Sequence, residues 1–241
     1  MSWIETGNNF SPGMTAVRNP PSGGSGGNIL FRADWTGANG QQTYTEQSPS
    51  ALVATFNGDA QLQTSQFVSA PSSVICHPLA NDYLTFPYHA SYDRLFDGSD
   101  WNIITQFRPV SVAVGGQRTV LNIWSATASL RNLNFRVSHA AGGVGTAQLL
   151  YYTAAGTLRS LTGWGPNFTY SAAWCKLELQ LRGSVFELFI DDVSRGTIDE
   201  TANFPMRTHQ GSGLTVGATV SAPPSAGLLG YLDDTLIEIV S

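Results

Sequence analysis

Charge is what this sequence has least of: only 12% of its 241 residues are Asp, Glu, Lys or Arg, about half the usual share of a globular protein. Lysine is nearly missing, with Lys176 the sole example. A surface so poor in charge must be wetted by amides and hydroxyls. The formal charge of -5, without clustered cations, argues against a binder of nucleic acid, which needs Lys and Arg to neutralise phosphates. No apolar run reaches the ~20 residues that a membrane-spanning helix requires. Met1 to Phe10 lack a basic stretch followed by an apolar one, so no Sec-type signal peptide is expected. Cysteine is limited to Cys76 and Cys175, too few and too far apart for a disulfide framework or a metal knuckle. Helical periodicity is almost absent as well.

Hydrophobic residues make up 42% of the chain, which excludes global disorder and supports one large β core. Residues 1–27 read as an extended N-terminal arm. Isolated anchors (Trp3, Ile4, Phe10, Met14 and Val17) precede a Pro-Pro and Gly/Ser hinge that propagates neither helix nor strand. Two fates of the arm stay open: docking on a partner, or folding back on its own sandwich.

Residues 28–241 form the second region, where short alternating apolar runs are separated by turn residues. Strands are expected at Ile29 to Asp34, Leu52 to Asn57, Ser73 to His77, Tyr83 to Pro87, Trp101 to Pro109, Arg118 to Ser125, Asn132 to Ser138, Gln148 to Thr153 and Thr157 to Leu161. Further strands are expected at Trp174 to Arg182, Val185 to Ile190, Val193 to Ile198, Leu214 to Ala218 and Leu229 to Val240. So many strands need two stacked sheets. Turns at Gly183-Ser184 and Asp191-Asp192 join the hairpins that begin at Trp174, and Cys175 falls on the apolar face with Leu177, Leu179 and Leu181 as a buried free thiol.

From Ile29 onward the chain resembles the concanavalin A-like, laminin-G-type jelly-roll superfamily in the form found in phage and bacterial surface proteins. The resemblance rests on Leu30 to Ser50 (the opening strand and its D-x-x-G-A-x-G turn), on Ala54 to Phe67 (a strand pair), and on Asn81 to Pro87 with Asp100 to Pro109 (paired strands). It extends to the hairpin Ala172 to Gly196 and the closing strand Gly230 to Ile239. It implies an all-β, two-sheet antiparallel jelly-roll sandwich and leaves the function to be argued from a site.

No catalytic residue stands out. The E-x-D-x-E strand of hydrolases with this fold is missing, and Glu187, Asp191 and Asp192 straddle a strand and its turn rather than flanking one bond. His77, His89, His139 and His209 lack metal-ligand spacing, and no G-x-S-x-G elbow occurs. No cofactor is expected, although Asp34, Asp82, Asp191, Asp192, Asp233 and Asp234 at strand ends leave a structural calcium open. Asp233 and Asp234, consecutive in the closing strand, should face opposite ways.

Glycan recognition needs aromatic faces beside amides. The candidates are Trp124, on a face with Val120 and Asn122, and the loop group Trp164, Asn167 and Phe168. Tyr151 and Tyr152 point to opposite faces. The arm and the phage-like resemblance favour a non-enzymatic virion structural protein, made in the host cytoplasm and displayed on the particle surface as a capsid decoration or tail appendage. Its partners would be other virion proteins held through the arm, in an oligomeric assembly, with cell-surface glycans as a further ligand. The alternative is a carbohydrate-binding lectin module, and a polysaccharide-acting hydrolase comes third.

Overall fold

Alternation of apolar and polar residues organises the chain into two antiparallel sheets. The computed structural model describes residues 28–69, 71–76, 82–110, 116–124, 131–139, 144–164, 168–169, 173–209, 211–218, 228 and 230–240, excepting the side chains at 116, 124, 131, 139, 168 and 169. The arm residues Trp3, Ile4, Phe10, Met14 and Val17 lie outside the described residues.

The first sheet runs in the order β14 (Val193–Asp199), β13 (Val185–Ile190), β12 (Cys175–Arg182), β6 (Asp100–Pro109), β16 (Gly230–Val240), β4 (Ser73–Cys76) and β3 (Gln61–Gln63). β1 (Ile29–Ala33) also pairs with β16, next to β4 along the same edge. The second sheet runs β10 (Leu158–Leu161), β9 (Val144–Tyr152), β8 (Arg131–His139), β7 (Gly116–Trp124), β15 (Leu214–Val216), β5 (Tyr83–Phe86) and β2 (Thr55–Asn57). β11 (Phe168–Thr169) adds to β9.

All fourteen expected strands are present, with ends that differ by a few residues. Two short strands were not expected from alternation: β3 and β11, each too brief to alternate visibly. The strand pairs implied by the resemblance need correction. β2 and β3 lie in different sheets, as do β5 and β6. The link from β5 to β6 contains a short 3-10 helix, Ala90–Leu95, which buries Tyr92 and Leu95. Connections of this kind carry the chain from one sheet to the other.

The hairpin β12–β13–β14 follows the expected pattern. β12 alternates buried and half-buried residues from Cys175 to Arg182. The Asp191-Asp192 turn holds both residues at positive φ, 52° and 62°, as a two-residue type I′ turn demands. Asp191 Oδ1 accepts the Lys176 N–H at 2.9 Å, which ties the turn to β12.

Inward side chains of both sheets merge in one apolar core. Phe186 lies at its centre, with ring centroids 6.1 Å from Trp101, 5.5 Å from Tyr151 and 5.8 Å from Phe204, so it joins the first sheet to the second. Cys76 and Cys175 are buried free thiols. Gly217 faces Cys76, and any Cβ there would come within 2.7 Å of the sulfur.

Polar clamps close the edges. Glu200, just beyond β14, accepts the Tyr151 O–H at 2.7 Å and two N–H groups of Arg159 at 2.9 and 2.8 Å, which ties the end of the first sheet to β9 and β10 of the second. The Arg159 hydrogen bonds hold the Glu200 carboxyl below its ordinary range against the opposing effect of burial. A depressed folded value means that the stabilisation is complete above about pH 4.3 and fades as pH falls below it. Glu200→Gln is therefore expected to cost about 1 kcal/mol at pH 7, since Arg159 is partly exposed, and to show a shallower loss of melting temperature between pH 5 and 3. Parallel pH profiles for variant and parent would refute this clamp.

Candidate functional site

The second sheet has two chemically opposite faces, and its register makes the contrast exact across seven strands. Phe56, Leu84, Val216, Leu121, Phe135, Leu149 and Leu161 are direct cross-strand neighbours from β2 to β10. All belong to the core or pack against it. One residue back along each strand, Thr55, Thr85, Thr215, Asn122, Asn134, Leu150 and Ser160 form the matching outward row in the same register. A period of two sends neighbouring residues to opposite faces, so six of these seven outward positions are hydroxyls or amides. The centre of the row is shielded, with Asn122 and Asn134 fully buried, while Thr55 and Ser160 at its ends are exposed.

The adjacent outward positions continue this chemistry. Arg136 pairs with Thr119 on one side and Gln148 on the other. Gln148 donates to Ser160 Oγ at 2.8 Å, Gln117 Nε2 donates to Gln148 Oε1 at 3.4 Å, and Arg136 Nη1 donates to Gln117 Oε1. At the other end of β9, Tyr152 lies beneath the Arg207 guanidinium, 5.6 Å from ring centroid to Cζ. The Arg207 N–H donates to the Tyr152 carbonyl at 2.8 Å, which fixes the pair. Leu158, the cross-strand neighbour of Tyr152, is 46% exposed. The face thus offers an aromatic ring and an apolar rim beside a field of amides and hydroxyls.

Its charge is one-sided. From Trp101 to Leu177 the sequence has no Asp or Glu; Arg136 lies in the outward register of β8, whereas Arg118 and Arg159 are cross-strand neighbours of the core residues Val137 and Tyr151. The outer face of the first sheet differs. There Lys176 Nζ lies 3.0 Å from Glu178 and 2.5 Å from Asp192, so the cation is paired with carboxylates. That face also holds an aromatic pair: Trp174 and Tyr231 have centroids 6.3 Å apart, with Arg108 5.8 Å over Tyr231.

The expected glycan contacts are redistributed. Trp164 is only 5% exposed and belongs to the core. It follows Leu161 where β10 leaves the sheet, and burying the large indole there closes the core end, so it cannot stack on a ligand. Asn167 lies outside the described residues, and Phe168 is described only as backbone in β11, opposite Gly145. The face expected for Val120, Asn122 and Trp124 is broken by register shifts between Thr119 and Leu121 and between Ile123 and Trp124. The extra residue of a bulge reverses the alternation. Val120 accordingly packs in the core and Asn122 joins the outward row, while the Trp124 side chain lies outside the described residues. Tyr151 and Tyr152 do face opposite ways, Tyr151 fully buried and Tyr152 on the outer face. The strand run free of carboxylates was legible in the sequence and is the signal that would have pointed to β7–β10.

The acidic residues scatter. Asp191 and Asp192 occupy a hairpin turn, and Asp82 accepts the Asp59 N–H at 2.8 Å. Asp233 is buried, and its two oxygens accept the N–H groups of Val68, Ser69 and Asp234. Burial and the adjoining Asp234 push its carboxyl up to about 7. Asp233 and Asp234 do not diverge as alternation demands: Asp234 has φ 44° at a register shift, and its carboxylate takes the Ser69 hydroxyl while Asp233 takes the Ser69 N–H. Among the described residues no three His, Cys, Asp or Glu side chains converge as a metal site. His209 Nδ1 lies 2.6 Å from Asp93 and Nε2 2.9 Å from the Ser212 carbonyl, while His89 Nδ1 lies 3.1 Å from Ser50 Oγ.

No family model matches the chain, and no curated sequence does. Solved structures match in fold. The binding domain of Paraclostridial Mosquitocidal Protein 1 aligns with 90% of this chain and 50% of its own, at 11% identity and a TM-score of 0.62. The botulinum neurotoxin serotype D binding domain aligns with 88% of this chain and 48% of its own, at 9% identity and a TM-score of 0.60. A botulinum neurotoxin DC binding domain in complex with SialylT gives 88% and 48%, at 10% identity and 0.57. The chain spans about half the length of these structures, and at such identity the likeness is one of fold.

Proposed function

We propose that this chain is a non-catalytic carbohydrate-binding module with a concanavalin A-like jelly-roll sandwich, and that it holds its ligand on the outer face of the second sheet. The observation that carries this reading is the accessible end of that face on β9 and β10, where Gln148, bonded to the exposed Ser160, and the exposed Leu158 lie beside Tyr152. Hydroxyls and amides are the groups that read sugar hydroxyls, and a ring such as Tyr152 offers the apolar surface on which sugar C–H groups rest. Strands β7–β10 carry no carboxylate, so they supply no acid and base pair for glycoside hydrolysis. Proteins of similar fold add support: one was solved with SialylT, and the cell entry of another is dependent upon interaction with two ganglioside molecules.

A display role on a virion rests on the arm, which lies outside the described residues. The sandwich itself favours the carbohydrate reading, and adhesion to glycans is common to both.

Binding to hits from a glycan array, followed by calorimetric titration, tests the proposal. Tyr152→Ala and Gln148→Ala are each expected to weaken binding about tenfold, the scale of ~1.4 kcal/mol for a stacking or hydrogen-bonding contact, with melting temperature unchanged and the sugar recovered intact. An array without hits, or affinity indifferent to both substitutions, would overturn it.

A further inference from the structure

Among the described residues, Arg136 is a cation without a counter-ion. It sits mid-strand in β8, half-buried, between Thr119 of β7 and Gln148 of β9. Among the described residues its guanidinium makes one hydrogen bond, from Nη1 to Gln117 Oε1, and its Nε–H is buried without an acceptor. The nearest chemistry on every packed strand is neutral: Gln117 and Thr119 on β7, Ser138 on β8, and Gln148 and Thr146 on β9. Burial lowers the affinity of this guanidinium for its proton.

Taking a guanidinium partly out of water without a carboxylate is unfavourable. By contrast, Arg159 is paired with Glu200, and Lys176 with Glu178 and Asp192. Between Trp101 and Leu177 no acidic residue is available to do the same for Arg136, although the chain as a whole carries a net charge of -5. The face is therefore locally cationic on a protein that is globally anionic. Arg207 over Tyr152 adds a second cation on the same sheet face. The Nη1 and Nη2 edge of a planar guanidinium matches a carboxylate or sulfate through paired N–H···O bonds.

We infer that the saccharide bound on this face is acidic, with its carboxylate or sulfate held by Arg136 and its ring directed along β9 toward Tyr152. This rests on the carbohydrate-binding reading of the same face and specifies its ligand class. A neutral glycan would leave the guanidinium uncompensated and would gain only the amide and stacking contacts.

The test compares matched pairs by calorimetric titration: sialyllactose against lactose, and methyl glucuronide and a methyl glucoside 6-sulfate against methyl glucoside. At least one acidic member is expected to bind tenfold or more tightly than its neutral partner, with affinity that falls as salt rises. Arg136→Gln should abolish that preference by weakening the acidic member about tenfold, and Arg136→Lys, which keeps the charge but loses the planar fork, should retain part of it. Whichever acidic sugar binds distinguishes carboxylate from sulfate. Equal affinity for acidic and neutral members would overturn this inference and leave the carbohydrate reading intact. An acidic preference that survives Arg136→Gln would overturn the assignment to Arg136, and binding of none of the sugars would overturn both readings.

Discussion

Replacing Glu46 by alanine is expected to lower the free energy of unfolding by about 4 kcal/mol, at the upper end of what a single polar substitution does. Glu46 is only 2% exposed, yet it organises the loop between β1 and β2. Its Oε2 accepts the N–H groups of Arg32 at 3.3 Å and Ser48 at 2.6 Å, and its Oε1 accepts the Ser48 hydroxyl at 2.7 Å and the Leu52 N–H at 2.9 Å. Four donors converge on one carboxylate, so truncation strands all of them in a shielded site, each at a cost of ~1–3 kcal/mol less whatever water can enter and repair. Glu46→Gln separates charge from shape. Because both oxygens only accept, the new NH2 group must face an N–H, and a loss of about 2 kcal/mol is expected even though the side chain has the same size. Urea denaturation of parent and variants measures both values. A loss below 1 kcal/mol for the alanine variant would mean that the loop holds without its carboxylate.

Phe186→Ala is expected to cost about 3–5 kcal/mol, the range for deleting a buried phenyl ring and leaving a cavity. The site has little freedom to collapse, because Trp101 and Tyr151 approach the ring from strands of different sheets and Phe204 covers it. Phe186→Leu should recover roughly half of the loss by refilling volume without the edge contacts of the ring. The same denaturation experiment checks the pair. If Phe186→Ala lost less than Glu46→Ala by a wide margin, the two sheets would be held more by their edges than by their shared core.

These variants mark the parts of the molecule that differ in how readily the sequence discloses them. Hairpin β12–β13–β14 was legible because Cys175, Leu177, Leu179 and Leu181 alternate without interruption and the turns carry Gly183 and Asp191-Asp192. The allocation of strands to sheets was not. β2 and β3 are separated by a turn and look like a hairpin, yet pair with β5 and β4 respectively, a choice decided by contacts distant in sequence. Bulges hid two further features. The shift at Val120 moved it from the expected polar face into the core, and the shift at Asp234 brought two adjacent carboxylates to one serine. Trp164 misled for another reason: a loop tryptophan next to Gly163 looks exposed, but nothing local reveals that it caps the core. The proposed binding face was hard to see, since its signal is the length of the run around β7–β10 that has no carboxylate.

The last strand of the first sheet has a consequence for how the chain comes to be folded. β16 lies between β6 on one side and β4 with β1 on the other, so the first sheet remains three unconnected pieces, β14–β13–β12–β6, β4–β3 and β1, until residues 230–240 arrive. The second sheet contains the meander β7–β8–β9–β10, whose neighbours are successive in the chain, and it can begin to assemble from short-range contacts. Because long-range pairings are slow to close, a chain emerging from the ribosome would carry the meander with its apolar face uncovered while it waits for its final strand. That interval, rather than the finished sandwich, is when the protein is most exposed to aggregation.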